Sequence, residues 1–250
     1  MATISLTFGT LTLDSTNNIA ISRISEKASK PIQSYNIPVT DGAIAEEAKI
    51  GAKIITIEGD IAGTSYDNLR TNLDTLHAGL LDGIQQLSKD NERYISCQLK
   101  DFSYAYDHPS RRATWSASFV AHFPFWLAET ATTDDRTPTS GVGYTISNAG
   151  NAPARVKIEI TPTGSMADAC KIDNTTTGKS FQYRGTVSAA QVLEVDNRYD
   201  TDDFQVLNNG ADDHDNFEGD FITLNPGDNT IVFTGTASTA VKLTYRKTWY

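Results

Sequence analysis

Five stretches between Ile146 and Tyr250 decide the fold: ISNAGNAPARVKIEIT (146–161), KIDNTTTGKSFQYRG (171–185), VLEVDNRYD (192–200), FITLNPGDNTIVFTG (221–235) and AVKLTYRKTWY (240–250). Each is a short run of alternating or β-branched residues, closed by a cluster of Gly, Pro, Asn or Asp. Strand-length runs separated by turn chemistry predict an antiparallel sandwich rather than an α/β enzyme. A compact β-sandwich without a catalytic motif points to binding or assembly.

Working outward, 250 residues suffice for one large or two ordinary domains, each with its own core. A composition of 39% hydrophobic and 21% charged residues is that of a soluble globular chain. No window approaches ~18 consecutive apolar residues, so no membrane insertion is expected. The first residues, MATISLTFGTLTLD, alternate like a strand and lack the basic start and apolar run of a signal peptide, so synthesis in a cytoplasm is expected. Cys97 and Cys170 stand far apart without CxxC partners and read as two reduced, packed thiols, not as a disulfide or a zinc site. The net charge of −10 argues against non-specific nucleic-acid binding, which requires Lys and Arg to neutralise phosphates.

One segment departs from the β pattern. In TSYDNLRTNLDTLHAGLLD (64–82), Leu69, Leu73, Leu76 and Leu80 are spaced to form one apolar stripe, which predicts a helix over about 65–82. Thr64 with Asp67 resembles a capping box, and Gly83 supplies the stop. Ahead of the helix, AKIITIEGDIAG places Ile55, Ile57 and Ile61 on one face of a strand. Behind it, Glu92–Tyr106 and Arg112–Phe123 alternate on either side of the turn DHPSR, predicting a long hairpin with Trp115, Ala117, Phe119 and Ala121 on one face. Residues 25–51 lack periodicity and read as a long excursion that either moves or is ordered by a neighbouring subunit. The polar, Thr- and Gly-rich run 131–143 reads as a linker. The expected organisation is mainly β: an α+β first domain over 1–130 with one helix on a sheet, then an antiparallel sandwich over 144–250.

Catalytic signatures are missing: the chain has no GxSxG, GxxxxGK[ST], HExxH or GxGxxG, so no enzyme and no cofactor is expected. His77, His108, His122 and His214 are dispersed, and ordinary surface or capping roles are expected for them. The acidic run Asp212–Asp220 contains the weak candidates for a calcium site, Asp212, Asp213 and Asp215, without the ligand order of an EF-hand. A solvated loop explains it equally well. Asp202 and Asp213 are the nearest thing to an acid–base pair for a polysaccharide depolymerase, with nothing to fix their separation. Phe181, Tyr183, Tyr199, Phe204 and Phe217 offer rings for a sugar platform, though Phe181 and Tyr183 alternate within a strand and read as core. Asn174-Thr175-Thr176 matches a glycosylation sequon and, without a secretory signal, is expected to be silent.

In order, these pieces resemble the distal tail protein family of siphophages. GDIAGTSYDNLRTNLDTLHAGL (59–80) resembles that family's strand–helix unit, and WSASFVAHFPFWLAE (115–129) its closing strand and aromatic turn. ISNAGNAPARVKIEI resembles the opening strand of its second domain, with Asn148, Gly150 and Pro153 at the bend. TTGKSFQYRG, VLEVDNR and FITLNPGDNTIVF resemble later strands. The resemblance implies a structural virion protein at the tail tip, a hexameric hub whose first domains form a ring and whose galectin-like second domains project outward. The implied partners are further copies of the chain, the tail tube protein, and the tail-tip, tape-measure and fibre proteins, with DNA passing through without specific binding. Subunit-interface candidates are then Pro31, Tyr35, Ile37 and Pro38 on the excursion and Tyr104, Tyr106, His108 and Trp115 on the hairpin, which is expected to pair edge to edge around the ring. The alternative from a different class is a carbohydrate-binding module or lectin-like adhesin contacting host surface glycans.

Overall fold

The computed structural model describes residues 6–28, 30, 34–36, 43–45, 50–107, 110–168, 170–199, 204–236 and 238–250, with 34–36 and 43–45 described by backbone alone. The chain divides into two units, Met1–Trp126 and Leu127–Tyr250. Regular structure is almost entirely antiparallel strand, with one α-helix among the described residues, and no helix is long and apolar enough to cross a membrane.

The first unit contains β1 (Leu6–Phe8), β2 (Leu11–Leu13), β3 (Ile19–Ala28), β4 (Ser34–Asn36), β5 (Ala43–Ala45), β6 (Lys53–Ala62), α1 (Tyr66–Leu80), β7 (Ile84–Lys89), β8 (Arg93–Asp107) and β9 (Arg112–Ala121). Seven strands form one antiparallel sheet in the order β2-β1-β7-β8-β9-β6-β3, while β4 pairs with β5. The period of two in β6 and β9 settles which side is wet. Ile55, Ile57, Ile61, Ala113, Trp115, Ala117, Phe119 and Ala121 are buried, and the residues between them are half-buried or exposed. Phe8 and Phe119 meet with ring centroids 5.0 Å apart.

The helix lays its leucine stripe in this core: Leu69, Leu73, Leu76 and Leu80 are all buried. Each such burial contributes roughly 1.5–3 kcal/mol. The approach from β6 into α1 is tight. A Cβ on Gly63 would lie 2.5 Å from the Leu69 nitrogen, so glycine is required there. Asn72 Nδ2 donates to the Ala62 carbonyl at 2.9 Å, tying helix to strand. The cap is Ser65, one residue later than the sequence pattern indicates. Its Oγ accepts the Asn68 N–H at 3.2 Å, and Asn68 Oδ1 accepts the Thr64 N–H at 3.0 Å, so Asn68 does the work expected of Asp67. Gly83 follows the helix at φ +72, as its role of stop requires.

The hairpin of β8 and β9 forms as expected, with one irregularity. Leu99 pairs with Phe119 and Asp101 with Ser118, leaving Lys100 as an extra residue in a bulge. On its far side β9 pairs with β6, from Lys53↔Ala121 to Ala62↔Arg112, and so has no edge to offer, whereas β7 covers β8 only as far as Gln98. The ten-residue β3 is a further edge, hydrogen-bonded to β6 on one side and, among the described residues, to no strand on the other. Near its end Glu26 Oε2 accepts Lys53 Nζ at 3.2 Å and Trp126 Nε1 at 2.9 Å, which compensates the burial of the lysine. The excursion expected from Ser25 onward thus starts as strand through Ala28 and includes the β4–β5 ladder.

The second unit follows β10 (Trp126–Ala128), which spans the boundary. Its strands are β11 (Thr132–Arg136), β12 (Gly143–Asn148), β13 (Ala154–Pro162), β14 (Met166–Ala167), β15 (Cys170–Asn174), β16 (Lys179–Tyr183), β17 (Thr186–Val187), β18 (Leu193–Asp196), β19 (Gln205–Asn208), β20 (Ala211–Asp212), β21 (Phe217–Gly219), β22 (Thr223–Leu224), β23 (Gly227–Thr234), β24 (Thr239–Tyr245) and β25 (Thr248–Trp249). One sheet runs β11-β24-β13-β18-β19-β20, with β22 joined to β13, and the other runs β12-β23-β15-β16-β21. Alternate residues of both, such as Ile158, Val195 and Leu243 from the first and Ile172, Phe181 and Phe233 from the second, share one core, which makes a sandwich. The stretch 131–143 is not a free linker: Thr132–Arg136 pairs with Val241–Tyr245 as an edge strand. Its β-branched threonines and alternating half-exposure suit that place.

Four buried asparagines close the turns of the sandwich. Asn148 Nδ2 donates to the Ala152 and Leu224 carbonyls while its Oδ1 accepts from Gly150 N–H, forming the expected bend. Asn174 donates to the Thr223 carbonyl and to Asn229, and this burial leaves its sequon no room for a glycan. Asn197 accepts the Val156 N–H and donates to the Ile222 carbonyl. Asn229 donates to the carbonyls of Asn225 and Gly227. Each amide satisfies backbone groups that the interior would otherwise strand.

Both cysteines are buried and unpaired, and burial pushes each thiol up to about 12. Neither Cys97 nor Cys170 is expected to react with iodoacetamide at pH 8 in the folded protein, and both are expected to react once denatured, as mass spectrometry of the alkylated chain will read. Leu73→Ala is expected to cost about 2–5 kcal/mol, measured by urea unfolding, because it empties the centre of the stripe.

Candidate functional site

The residues proposed from sequence fall into three places. Pro31, Ile37, Pro38, His108 and Asp202 lie outside the described residues, and Tyr35 is described by backbone only, in β4. Trp115, a candidate for subunit contact, is 3% exposed. It sits on the inward face of β9, where its ring lies over Gly59, and is a core residue. Tyr104 and Tyr106 are at the surface, 48% and 42% exposed.

Those two tyrosines belong to a longer array. Beyond the Lys100 bulge, Phe102, Tyr104 and Tyr106 pair across to Ala117, Trp115 and Ala113, so all three face the side that carries the helix. Their rings form a ladder: His77 of α1 stacks on Phe102 at 4.8 Å, Phe102 lies 6.0 Å from Tyr104, and Tyr104 meets Tyr106 edge-on at 5.3 Å. The rings thus continue the apolar face past its buried part into solvent. The alternation of Phe102, Tyr104 and Tyr106 was the available signal for Phe102; the contact with His77 had none, because the two residues are 25 positions apart.

The opposite face of the sheet is of another kind. Thr56, Glu58 and Asp60 on β6 lie beside Ser118, Ser116 and Thr114 on β9, with Ser103 and Ala105 next on β8. Thr56 and Ser118 share a hydroxyl–hydroxyl hydrogen bond of 3.1 Å. The surface is one of short hydroxyls with two carboxylates, and the exposed Arg23 of β3 lies on it opposite Glu58.

In the second unit the acidic run does not assemble as a metal centre. Asp213 is occupied by the Tyr183 hydroxyl and by Asn216 Nδ2 at 2.7 Å, and Asp212 by His214 Nδ1 at 2.6 Å, while Asp215 sits in the short helical turn His214–Asn216. The Tyr183 hydroxyl, with smaller help from Asn216 and Asn208, holds the Asp213 carboxyl below its ordinary range. Among the described residues no three Asp, Glu, His or Cys side chains converge on a metal position.

Of the rings proposed as a sugar platform, Phe181 and Tyr183 are core, and Phe217 packs against Phe181 at 5.3 Å. Tyr199 and Phe204 are elsewhere. They line a groove of about 500 Å³ together with Phe221, Arg155 and Lys179, roofed on one side by Asp220 and Asn225. The Arg155 guanidinium stands 4.3 Å from the Tyr199 ring centre and 5.2 Å from that of Phe204. Phe204 and Phe221 are 4.9 Å apart. Burial raises the Tyr199 phenol, against the pull of Arg155. Arg155, Phe221, Lys179, Asp220 and Asn225 escaped the sequence because they arrive from separate parts of the chain: β13, β16 and the segments flanking β22.

Residues 149–249 match the model of the siphovirus-type tail component, C-terminal domain. No curated protein matches the sequence. Among solved structures, the Dit protein (gp 19.1) of phage SPP1, described as a paradigm of the hub adsorption apparatus in phages infecting Gram-positive bacteria, is similar along nearly the whole chain. Its TM-score is 0.76 at 15% identity, over 97% of this chain and 98% of that one. The baseplate of phage p2 in its activated conformation gives TM-scores of 0.47 with calcium and 0.46 with strontium, both at 11% identity. Coverage is 98% of this chain and 98% of that one in the first, and 96% and 98% in the second. Residues 149–249 thus carry a siphovirus-type tail-component domain, and the chain throughout has the fold of a Dit protein.

Proposed function

We propose that this chain is a structural hub at the tip of the phage tail. Copies close into a ring, six by the pattern of the family, that joins the tail tube to the tail-tip, tape-measure and fibre proteins and leaves a channel for DNA. The observation that carries the proposal is the two-faced sheet of the first unit, whose apolar side runs out into the exposed Tyr104–Tyr106 ladder and whose β3 edge is open among the described residues. An open ten-residue edge is an aggregation hazard, and closure against a neighbour removes it. Head-to-tail contact between unlike surfaces generates rings when the rotation closes. The contact is made by Tyr104 and Tyr106 and by the excursion carrying Pro31, Tyr35, Ile37 and Pro38, with His108 at the hairpin turn.

The other face of the sheet lines the channel. Short hydroxyls make up most of this face and its cations are matched by carboxylates, Arg23 standing opposite Glu58 and Arg112 opposite Asp107, so a passing polyphosphate finds little net positive charge to hold it. The second units, as galectin-like sandwiches, project outward. The role is assembly, not turnover, and its place is the virion tail tip after synthesis in the host cytoplasm. The likeness to the SPP1 protein, itself described as a hub, supports this reading.

Purified protein is expected to form six-fold rings in negative-stain images; a monomer that persists at high concentration sinks the proposal. Tyr104→Asp with Tyr106→Asp is expected to shift the mass measured by light scattering from ring to monomer while the circular dichroism stays unchanged. In phage carrying Glu58→Lys and Asp60→Lys, DNA release is expected to slow severalfold, since each lysine adds about one phosphate contact per copy. Release at the normal rate would remove this face from the channel.

A further inference from the structure

The groove of the second unit is left unused by the ring proposed above, and its chemistry selects a ligand class. One wall is aromatic: Phe204 is 50% exposed and meets Phe221 in a tilted pair at 4.9 Å, while Arg155 is held between Phe204 and Tyr199. The polar groups around it are of both kinds. Lys179 donates, Asp220 accepts and Asn225 does both, and their side chains make no hydrogen bond or ion pair with any described residue. The frame beneath is fixed by Asn197, whose amide is committed to Val156 and Ile222 and holds the segment before Tyr199 in place. A few convergent polar groups over an apolar wall is the usual build of a small-ligand site.

Four ligand classes can be weighed against this. An anion meets Asp220, and a cation meets Arg155 and Lys179. A flat apolar molecule covers the rings but leaves two charges and an amide without partners, which costs more than the rings return. A neutral polyol satisfies everything: adjacent hydroxyls accept from Lys179 and donate to Asp220, while the C–H face of a pyranose lies on Phe204. We propose that this groove is a binding site for a neutral oligosaccharide, seated on Phe204 and hydrogen-bonded by Lys179, Asp220 and Asn225. The site lies wholly within one copy's second unit, so it stands whether or not ring assembly does.

The test is saturation-transfer difference NMR on the full-length protein with four probes: maltotriose, β-1,4-galactotriose, chitotriose and an oligomer of glycerol phosphate. Transfer to at least one of the three neutral sugars is expected, with ring protons of the sugar saturated most strongly. Phe204→Ala is expected to weaken that sugar's apparent affinity about threefold or more, and Lys179→Ala about tenfold. Both positions are at or near the surface, and an unchanged circular dichroism spectrum of each variant reports that the protein is folded, which keeps this result separate from the hub proposal. Transfer to none of the neutral sugars, transfer only to glycerol phosphate, or affinity unchanged by both substitutions overturns the assignment.

Discussion

The four-leucine stripe of α1 on the inner face of the seven-stranded sheet is the interaction on which the first unit depends. A sheet exposed on both faces has no core, and a fifteen-residue helix alone is marginal in water. Packed together, they make one side of the sheet dry and leave the other free to be polar. That asymmetry turns a folding solution into two surfaces: aromatic rings where the buried face overruns the helix, and hydroxyls with carboxylates on the back. Gly63 and the Ser65 cap serve the same end, because they bring the helix onto the sheet within a single tight turn.

The sandwich of the second unit solves a different problem. Many short strands mean many turns, and every turn near the core threatens to strand a backbone carbonyl or N–H. Asn148, Asn174, Asn197 and Asn229 answer this with side-chain amides that copy the pairing of a strand neighbour. They cost little volume and fix loop shape. Because Asn197 and Asn229 lie next to Tyr199 and Asn225, the same bonds that keep the sandwich closed also hold the rim of the groove.

Where a pattern is local, the sequence was sufficient. The leucine spacing located the helix to within two residues, and the parity of Ile55, Ile57 and Ile61 named the buried face of β6. Strands and turns beyond Ile146 followed from alternation and turn residues. What depends on pairing over distance was not legible. The hairpin gave no sign that β6 would occupy the far side of β9. The bulge hides in a parity change: Ile95 and Cys97 face inward at odd positions, Phe102 at an even one, with Lys100 absorbing the step. Trp115 looked like an interface residue from its chemistry and proved to be core from its parity, which ought to have weighed more. The groove was illegible for the same physical reason, since no local pattern relates Arg155 to Phe204 or Lys179 to Asp220.

The two interior thiols have a consequence for how copies can be joined. With no other cysteine in the chain, and both sulfurs sealed inside their units as neutral SH groups, adjoining copies have no means of being stapled covalently through sulfur. In the ring proposed above, a subunit added in error could therefore dissociate and try again, and the assembly would answer to dilution and salt rather than to glutathione.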